Sequence, residues 1–523
     1  MTTKTISALN RRGFLKLTAG AGVLAATSSL SGIRPARAAS VQPSSPQDII
    51  ALSAVGLSTA IHQRNVSCRD VMAAYLDHIE RYNPTYNAIV ALQPREKLMD
   101  EAQAADTDLA NGHYRGWMHG FPHAVKDLAA TRGITTSMGS PLFKDRVPEH
   151  DAIFVERLRG AGAILIGKTN TPEFGLGSQT YNPVYGTTRN AYDPALCAGG
   201  SSGGASVGLA THMLPVADGS DMMGSLRNPA AYNNIIGFRP SQGRVPRGPS
   251  RELFYQQLGY AGPMGRTVQD TARLLSTMAG FDSRAPLSLE TDNASYAGDL
   301  AMDTAGLRVA WLGDFNGYLA TEPGVLDVCR QALEHFSNLG GQVEEVDVDY
   351  PMEELWETWL TLRHFLIAGI AQDLYANPDK RAVMKPELIW EIEGGLKLSA
   401  MEVYQASEAR TRWYGALEKL FNTYDVVALP SAQVFPFDAD THWPKEINGR
   451  QMDTYHRWME VVTPGTLASC PVVNVPAGFD AQGRPMGIQL IGRRHQDLKV
   501  LKIAHAYEQA ARFTQRRPDL VAS

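Results

Sequence analysis

Gly199-Gly200-Ser201-Ser202-Gly203-Gly204-Ala205-Ser206, followed after a short apolar run by Gly219-Ser220-Asp221-Met222-Met223-Gly224-Ser225-Leu226-Arg227-Asn228-Pro229-Ala230, is the stretch around which the chain is organised. It contains two glycine turns, each bearing a serine, with Ser201 and Ser225 24 residues apart. Glycine lets a backbone turn sharply and approach a ligand closely, so a serine in such a turn is exposed to chemistry. Gly199 to Gly203 fits the G-x-S-x-G nucleophile elbow, which would make Ser201 an attacking group. That pattern also needs a downstream acid and histidine, and a chain of this length offers many of each. The second turn places consecutive backbone N–H groups beside the Ser225 hydroxyl, as an oxyanion site requires. Asp221 and Arg227 are spaced to lock that turn as a charged pair.

Upstream, Gly120-Phe121-Pro122-His123-Ala124-Val125-Lys126-Asp127 is a turn feeding a short apolar segment that ends in a lysine and an aspartate. A lysine there is an ordinary surface residue unless the fold brings it to the serines. Gly162 to Thr169 satisfies G-x-x-x-x-G-K-[ST], but its four variable residues read as a buried strand, Ala163 to Ile166, rather than as a phosphate-cradling loop. A P-loop is therefore rejected. His119 and His123 flank the Gly-Phe-Pro turn and are read as structural.

The remaining pattern alternates helices and strands. Ser45 to about Tyr82 reads as two helices, the second opened by a capping box at Ser67-Cys68-Arg69-Asp70 and stopped by Asn83-Pro84. Ala88 to Leu92 reads as a strand, Ala102 to Ala110 as a helix, and Thr169 to Gly199 as a long Gly-, Asn- and Pro-rich loop of the kind that lines sites. Strands at Leu307 to Leu312 and Gln342 to Val348 enclose a helix from Val325 to Leu339, an α/β unit. Residues 350–422 are predominantly helical and rich in large side chains, partly a cap over the site and partly cover for a sheet edge. Strands at Asp425 to Leu429, Pro471 to Pro476 and Met486 to Ile491 and a helix at Leu498 to Ala511 complete the chain.

Composition sets limits. The 523 residues are 44% apolar and 20% charged, an ordinary globular balance. The formal charge is -5, but the first 38 residues hold six basic side chains and no acid, so the rest carries -11. A chain so acidic, without clustered Lys and Arg, is not a binder of nucleic acid. The four cysteines have no CxxC spacing and are expected to be buried or partly buried free thiols, a disulfide being left open; no metal motif or cofactor is called for. Asn10-Arg11-Arg12-Gly13-Phe14-Leu15-Lys16, a mildly apolar run and Ala36-Arg37-Ala38 resemble a twin-arginine export signal. The expectation is a signal peptide at 1–38, one domain over 39–523, and a periplasmic or secreted location with no stable membrane insertion after export.

Taken together, Gly120 to Asp127, Gly199 to Ala230, Gly262 to Asp270, Pro476-Ala477-Gly478 and Gly487-Ile488-Gln489-Leu490 resemble the amidase signature hydrolases. The resemblance implies an αβα layered fold with a large central mixed sheet. It also implies a Ser-cisSer-Lys triad, with Ser225 as nucleophile, Ser201 as bridging serine after a cis Gly200–Ser201 bond, and Lys126 as base. The backbone N–H groups of Met222, Met223, Gly224 and Ser225 would bind the oxyanion, with Gly200, Ser202, Asp221 and Arg227 in support. Two methionines stand where the family usually has Thr-Gly; they either pack inward or shape the acyl pocket. The expected activity is hydrolysis of a small-molecule carboxylic amide through an acyl-enzyme. An esterase or carbamate hydrolase on the same triad, and a non-catalytic adaptor on the same fold, are the alternatives; a homodimer is left open. Such a triad needs a neutral lysine, so burial must lower its pKa from ~10.4 by a few units.

Overall fold

The computed structural model describes residues 43–522. The export signal expected at 1–38 lies outside the described residues. Within them, no helix is long and apolar enough to cross a membrane.

An eight-stranded mixed sheet forms the centre. Its order across the sheet is Ala217–Asp221, Tyr260–Gly265, Ile236–Arg239, Val472–Phe479, Pro485–Gly492, Val426–Pro430, Arg308–Trp311 and Gln342–Glu345. The first six strands pair antiparallel, and the last two join in parallel. Parallel pairing of the last two goes with the intervening helix Val325–Asn338, because a parallel connection needs a crossover. The two central strands are buried along almost their whole length and read as continuous apolar runs, as strands covered on both faces must. Helices including Val268–Met278, Val325–Asn338 and Asp497–Ala511 flank the sheet. This is the α/β layering with a large mixed sheet that the sequence implied.

A second sheet of three short strands carries the lysine. Pro122–Lys126 runs parallel to Ile164–Thr169, which pairs antiparallel with Ile89–Val90. Gly167, Lys168 and Thr169 lie in the strand itself, so no loop cradles a phosphate at the P-loop-like motif.

The amino-terminal helices differ from expectation in two ways. Three helices form where two were read, Pro46–Ala51, Ala54–His62 and Cys68–Tyr86, because Ser53 is an additional N-cap accepting the Gly56 N–H at 3.0 Å. The third helix also continues through Pro84 to Tyr86. A proline in the last turn removes only one backbone bond, and the true stop is Asn87, left-handed at φ 50°, assisted by Asn83 Oδ1 accepting the Ala88 and Ile89 N–H groups. At Ser67 the N-cap bond from Asp70 N–H is present at 2.9 Å, while the Ser67 hydroxyl donates to the Asp70 carboxylate at 2.6 Å.

Residues 352–421 fold mainly as three helices, Met352–Tyr375, Pro386–Leu396 and Ala400–Phe421, with a short turn of helix at Pro378–Arg381. The first two pack together and place Arg363, Ile367 and Leu388 against the cavity described below.

The central strands carry most of the apolar burial. Leu490, fully buried between Val473 and Ala428 on neighbouring strands, should cost about 2–5 kcal/mol when truncated to alanine, read as a lowered midpoint of urea unfolding.

Candidate active site

Lys126 ends its strand with the side chain buried, 1% exposed. Its Nζ lies 2.8 Å from Ser201 Oγ, 2.8 Å from Ser202 Oγ and 3.1 Å from Ser220 Oγ. The Ser220 carbonyl is 3.4 Å away. Among the described residues no carboxylate bonds the amine. Burial therefore drives its pKa down to about 7, against the opposing charges of Asp218 and Asp221. A neutral amine has two N–H donors and one lone pair. Ser202 and Ser220 can take the donors, which leaves the lone pair to accept the Ser201 O–H.

Each neighbour of this cluster is held. The Gly200–Ser201 peptide bond is cis. Gly199, at φ 70°, packs so tightly that a Cβ would fall 2.6 Å from Asn228 Oδ1, and that same oxygen accepts the Gly200 N–H at 2.9 Å. Thr180 Oγ1 donates to the Gly199 carbonyl at 2.8 Å. Behind the lysine, Asp218 accepts the Lys126 backbone N–H at 3.2 Å and sits 3.0 Å from His123 Nε2. His119 Nε2 faces the Ala105 carbonyl at 2.9 Å while Nδ1 accepts the Arg115 N–H, so both histidines have structural partners.

The second turn is fastened by a buried ion pair. Arg227 Nε and Nη2 donate to the two oxygens of Asp221 at 3.0 and 2.9 Å. Its remaining donors reach Val462 O at 2.7 Å, Gln489 Oε1 at 2.8 Å and Thr466 Oγ1 at 2.8 Å. All five guanidinium N–H groups are thus used. Burial alone would raise the Asp221 carboxyl, but Arg227 and Arg239 outweigh it and hold the group well below the usual carboxylate range. Asp221 Oδ1 also accepts Gly224 N–H at 3.0 Å, and Oδ2 accepts Leu226 N–H at 3.1 Å.

That last geometry alters the expected donor set. The Gly224 N–H is committed to Asp221, whereas the Met222, Met223 and Ser225 N–H groups make no hydrogen bond among the described residues. Gly224 instead supplies the bend: its φ is 79°, and a Cβ there would fall 2.9 Å from Val462. Met223 lies outside the left-handed region and is 5% exposed. Met222 is half-buried, with Sδ 3.3 Å from Arg363 Nη1.

Lys126, Ser201, Met222, Met223 and Ser225 all line one cavity of about 460 Å³. Ser225 is 7% exposed. No direct hydrogen bond joins Ser201 and Ser225 among the described residues, and hydrogen bonds of this kind tighten in substrate complexes. Ser220, Asp218, Asn228 and Arg239 were not singled out by sequence reasoning. Ser220 stood inside the quoted stretch, but nothing in a linear pattern says that its hydroxyl meets a lysine 94 positions away. Among the described residues no group of three or more His, Cys, Asp or Glu is placed to hold a metal ion.

A turn rich in free N–H donors, two serines and a buried amine in one cleft is an arrangement suited to serine-based acyl transfer. The chain belongs to the amidase family, whose model matches residues 70–501. It is 34% identical over 478 residues to an acylamidase of Rhodococcus erythropolis, covering 90% of this chain and 98% of that protein. It is 30% identical to a glutamyl-tRNA(Gln) amidotransferase subunit of Acaryochloris marina, covering 88% of this chain and 99% of that one. A solved bacterial aryl acylamidase of the amidase signature enzymes superposes with a TM-score of 0.83 at 28% identity, over 89% of this chain and 97% of that chain.

Removing the Asp221 carboxylate strands Arg227 and Arg239 in the interior. Asp221→Ala should lose about 3–5 kcal/mol of stability, measured by denaturant unfolding. Because the folded pKa of Asp221 is depressed, this stabilisation is complete above the ordinary carboxylate range and declines only as pH falls below it.

Proposed function

We propose that the protein cleaves a small-molecule carboxylic amide by a Ser225 acyl-enzyme route. The observation that carries the reading is the buried Lys126 amine, 2.8 Å from Ser201 Oγ, in a cavity that Ser225 shares with the unengaged N–H groups of its own turn.

Ser225 Oγ attacks the amide carbonyl carbon while its proton passes to Ser201 Oγ and the Ser201 proton passes to Lys126 Nζ. The carbonyl oxygen gains negative charge and meets the N–H groups of Met222, Met223 and Ser225, which are already oriented and lose little in reorganising. The relay then runs backwards. Lys126 returns a proton through Ser201 to the nitrogen as the C–N bond breaks, releasing ammonia or an amine. Water, activated by the same relay, attacks the ester at Ser225 and frees the acid. Ser202 and Ser220 hold the amine in place, and Asp221 with Arg227 sets the curvature of the donor turn. The resemblance to proteins called acylamidase and aryl acylamidase favours an organic acyl group on the substrate. Residues 1–38 are proposed to direct twin-arginine export to the periplasm or medium; the support is the arginine pair, the apolar run and the Ala-Arg-Ala site. Retention of an Arg11→Lys, Arg12→Lys variant in the cytoplasm, with a new amino terminus near residue 39 on the exported wild type, is the expected result.

Ser225→Ala should lower kcat by roughly 10⁴-fold or more, and Lys126→Ala by roughly 10²–10⁴-fold, with Ser201→Ala costing somewhat less. Near wild-type turnover in Ser225→Ala or Lys126→Ala would sink the assignment. Mass spectrometry of wild-type enzyme quenched with a slow ester substrate should find the acyl group on Ser225.

The pH profile follows from the lysine. Its active form is the neutral amine, so kcat/KM should rise with pH, about tenfold per unit below about 7, and level off above it. The sign for stability agrees: a lysine whose folded pKa is depressed opposes folding at low pH, and that penalty fades as pH climbs from about 7 toward the ordinary lysine value of 10.5.

A further inference from the structure

The acids that reach the cavity are occupied within the protein. Asp218 faces His123 and the Lys126 N–H, and both oxygens of Asp221 are filled by Arg227 and the turn's own backbone. The arginines on the same cavity are not so fully engaged. Arg247, half-buried, makes one hydrogen bond among the described residues, from Nη1 to Gly259 O at 3.3 Å, and no ion pair. Glu252, whose charge it feels, is itself spent on the N–H groups of Phe254, Tyr255 and Gln256. Burial lowers the Arg247 pKa, and the charges of Tyr260 and Glu252 offset it only in part.

Arg363 approaches from the helix Met352–Tyr375. Its Nε donates to Glu391 and Nη2 donates to Tyr455 OH at 2.7 Å. Nη1 is left against Met222 Sδ at 3.3 Å, a weak acceptor. A Cβ on Gly259 would fall 3.5 Å from Met222 Cβ and 4.0 Å from Arg247 Nη1. Arg363 thus contacts the Met222 side chain, Arg247 lies near the same Gly259 position on the cavity, and the Met222 N–H belongs to the turn beside Ser225. Phe154, Phe174, Leu176, Ile367 and Leu388 supply apolar wall, and Arg146, His150 and His456 also line the cavity.

We infer that this site takes an apolar amide bearing a carboxylate, which pairs with Arg247 and is assisted by Arg363 Nη1. A planar guanidinium with free N–H groups matches a carboxylate in charge and fork geometry, and desolvation on the cavity wall strengthens the pairing. The inference rests on the Ser225 reading above and names the substrate class of that site.

The test compares matched amides with and without the anion. One arm uses the para-nitroanilides of glutaric and pentanoic acid, placing the carboxylate on the acyl half. The other uses N-acyl para-aminobenzoate and N-acyl para-toluidine, placing it on the amine half. In one arm kcat/KM should favour the carboxylate by roughly 10- to 100-fold, mostly through KM, and the arm that responds identifies the half. Arg247→Gln should erase most of that ratio, and Arg247→Lys should restore part of it. Raised salt should shrink the wild-type ratio, a measurement that stands even if the variants fail to fold. A preference for the neutral partner in both arms overturns the inference, as does a ratio that survives Arg247→Gln or is indifferent to salt. Loss of turnover on the neutral amides in Ser225→Ala, without any carboxylate preference in the wild type, overturns the specificity and leaves the mechanism standing. Undiminished turnover in Ser225→Ala overturns both.

Discussion

The Asp221–Arg227 ion pair fastens the reactive turn to the rest of the molecule. Two charges leave water at a cost of several kcal/mol each, and a buried pair is tolerated only when its geometry is good and the remaining donors are used. Here Arg227 spends all five donors, on Asp221, on the carbonyl of Val462, and on the side chains of Thr466 and Gln489. Gln489 in turn bonds Pro430 O and Val461 O. The network therefore ties the turn around Ser225 to central strands far along the chain. Asp221 holds the Gly224 and Leu226 N–H groups, while the Met222, Met223 and Ser225 N–H groups make no hydrogen bond among the described residues.

The lysine poses the opposite electrostatic problem. Asp221 is kept charged by two guanidinium groups, whereas Lys126 is given hydroxyls and a carbonyl but no bonded carboxylate. Those neighbours can solvate an amine without requiring its positive charge. Asp218 and Asp221 act at longer range and keep the pKa from falling further. Both groups have lowered pKa values, which keeps the carboxylate charged and favours the neutral amine, a division suited to an anchor and a base.

Met222 joins the Ser225 turn to the cavity wall. Its backbone N–H belongs to the turn beside Ser225, and its side chain lies against Arg363 and close to Gly259. Met223 is the more deeply packed of the two. Both methionines line the cavity and both pack against the core.

Much of the architecture was legible in the chain. Strands such as Val472–Phe479 and Pro485–Gly492 announced themselves as apolar runs around a Gly483 turn, and the long helices by their apolar spacing, since burial on one face or two leaves a periodic mark. The helix through Pro84 and the extra cap at Ser53 were not legible, because both depend on local bonds that compete with a stronger nearby signal. In the site, the sequence by itself determined the glycine turns, the two serines, and the lysine that the family resemblance joined to them. Only the tertiary structure decided that Ser220 and Asn228 stand with them, that Gly224 N–H is taken by Asp221, that Arg363 meets Met222 and that Arg247 lines the same cavity. The physical reason is that turns and periodicities are properties of neighbours in the chain. Charge pairing, desolvation and unspent hydrogen-bond donors depend on which distant residues the packed sheet and helices bring within a few ångströms.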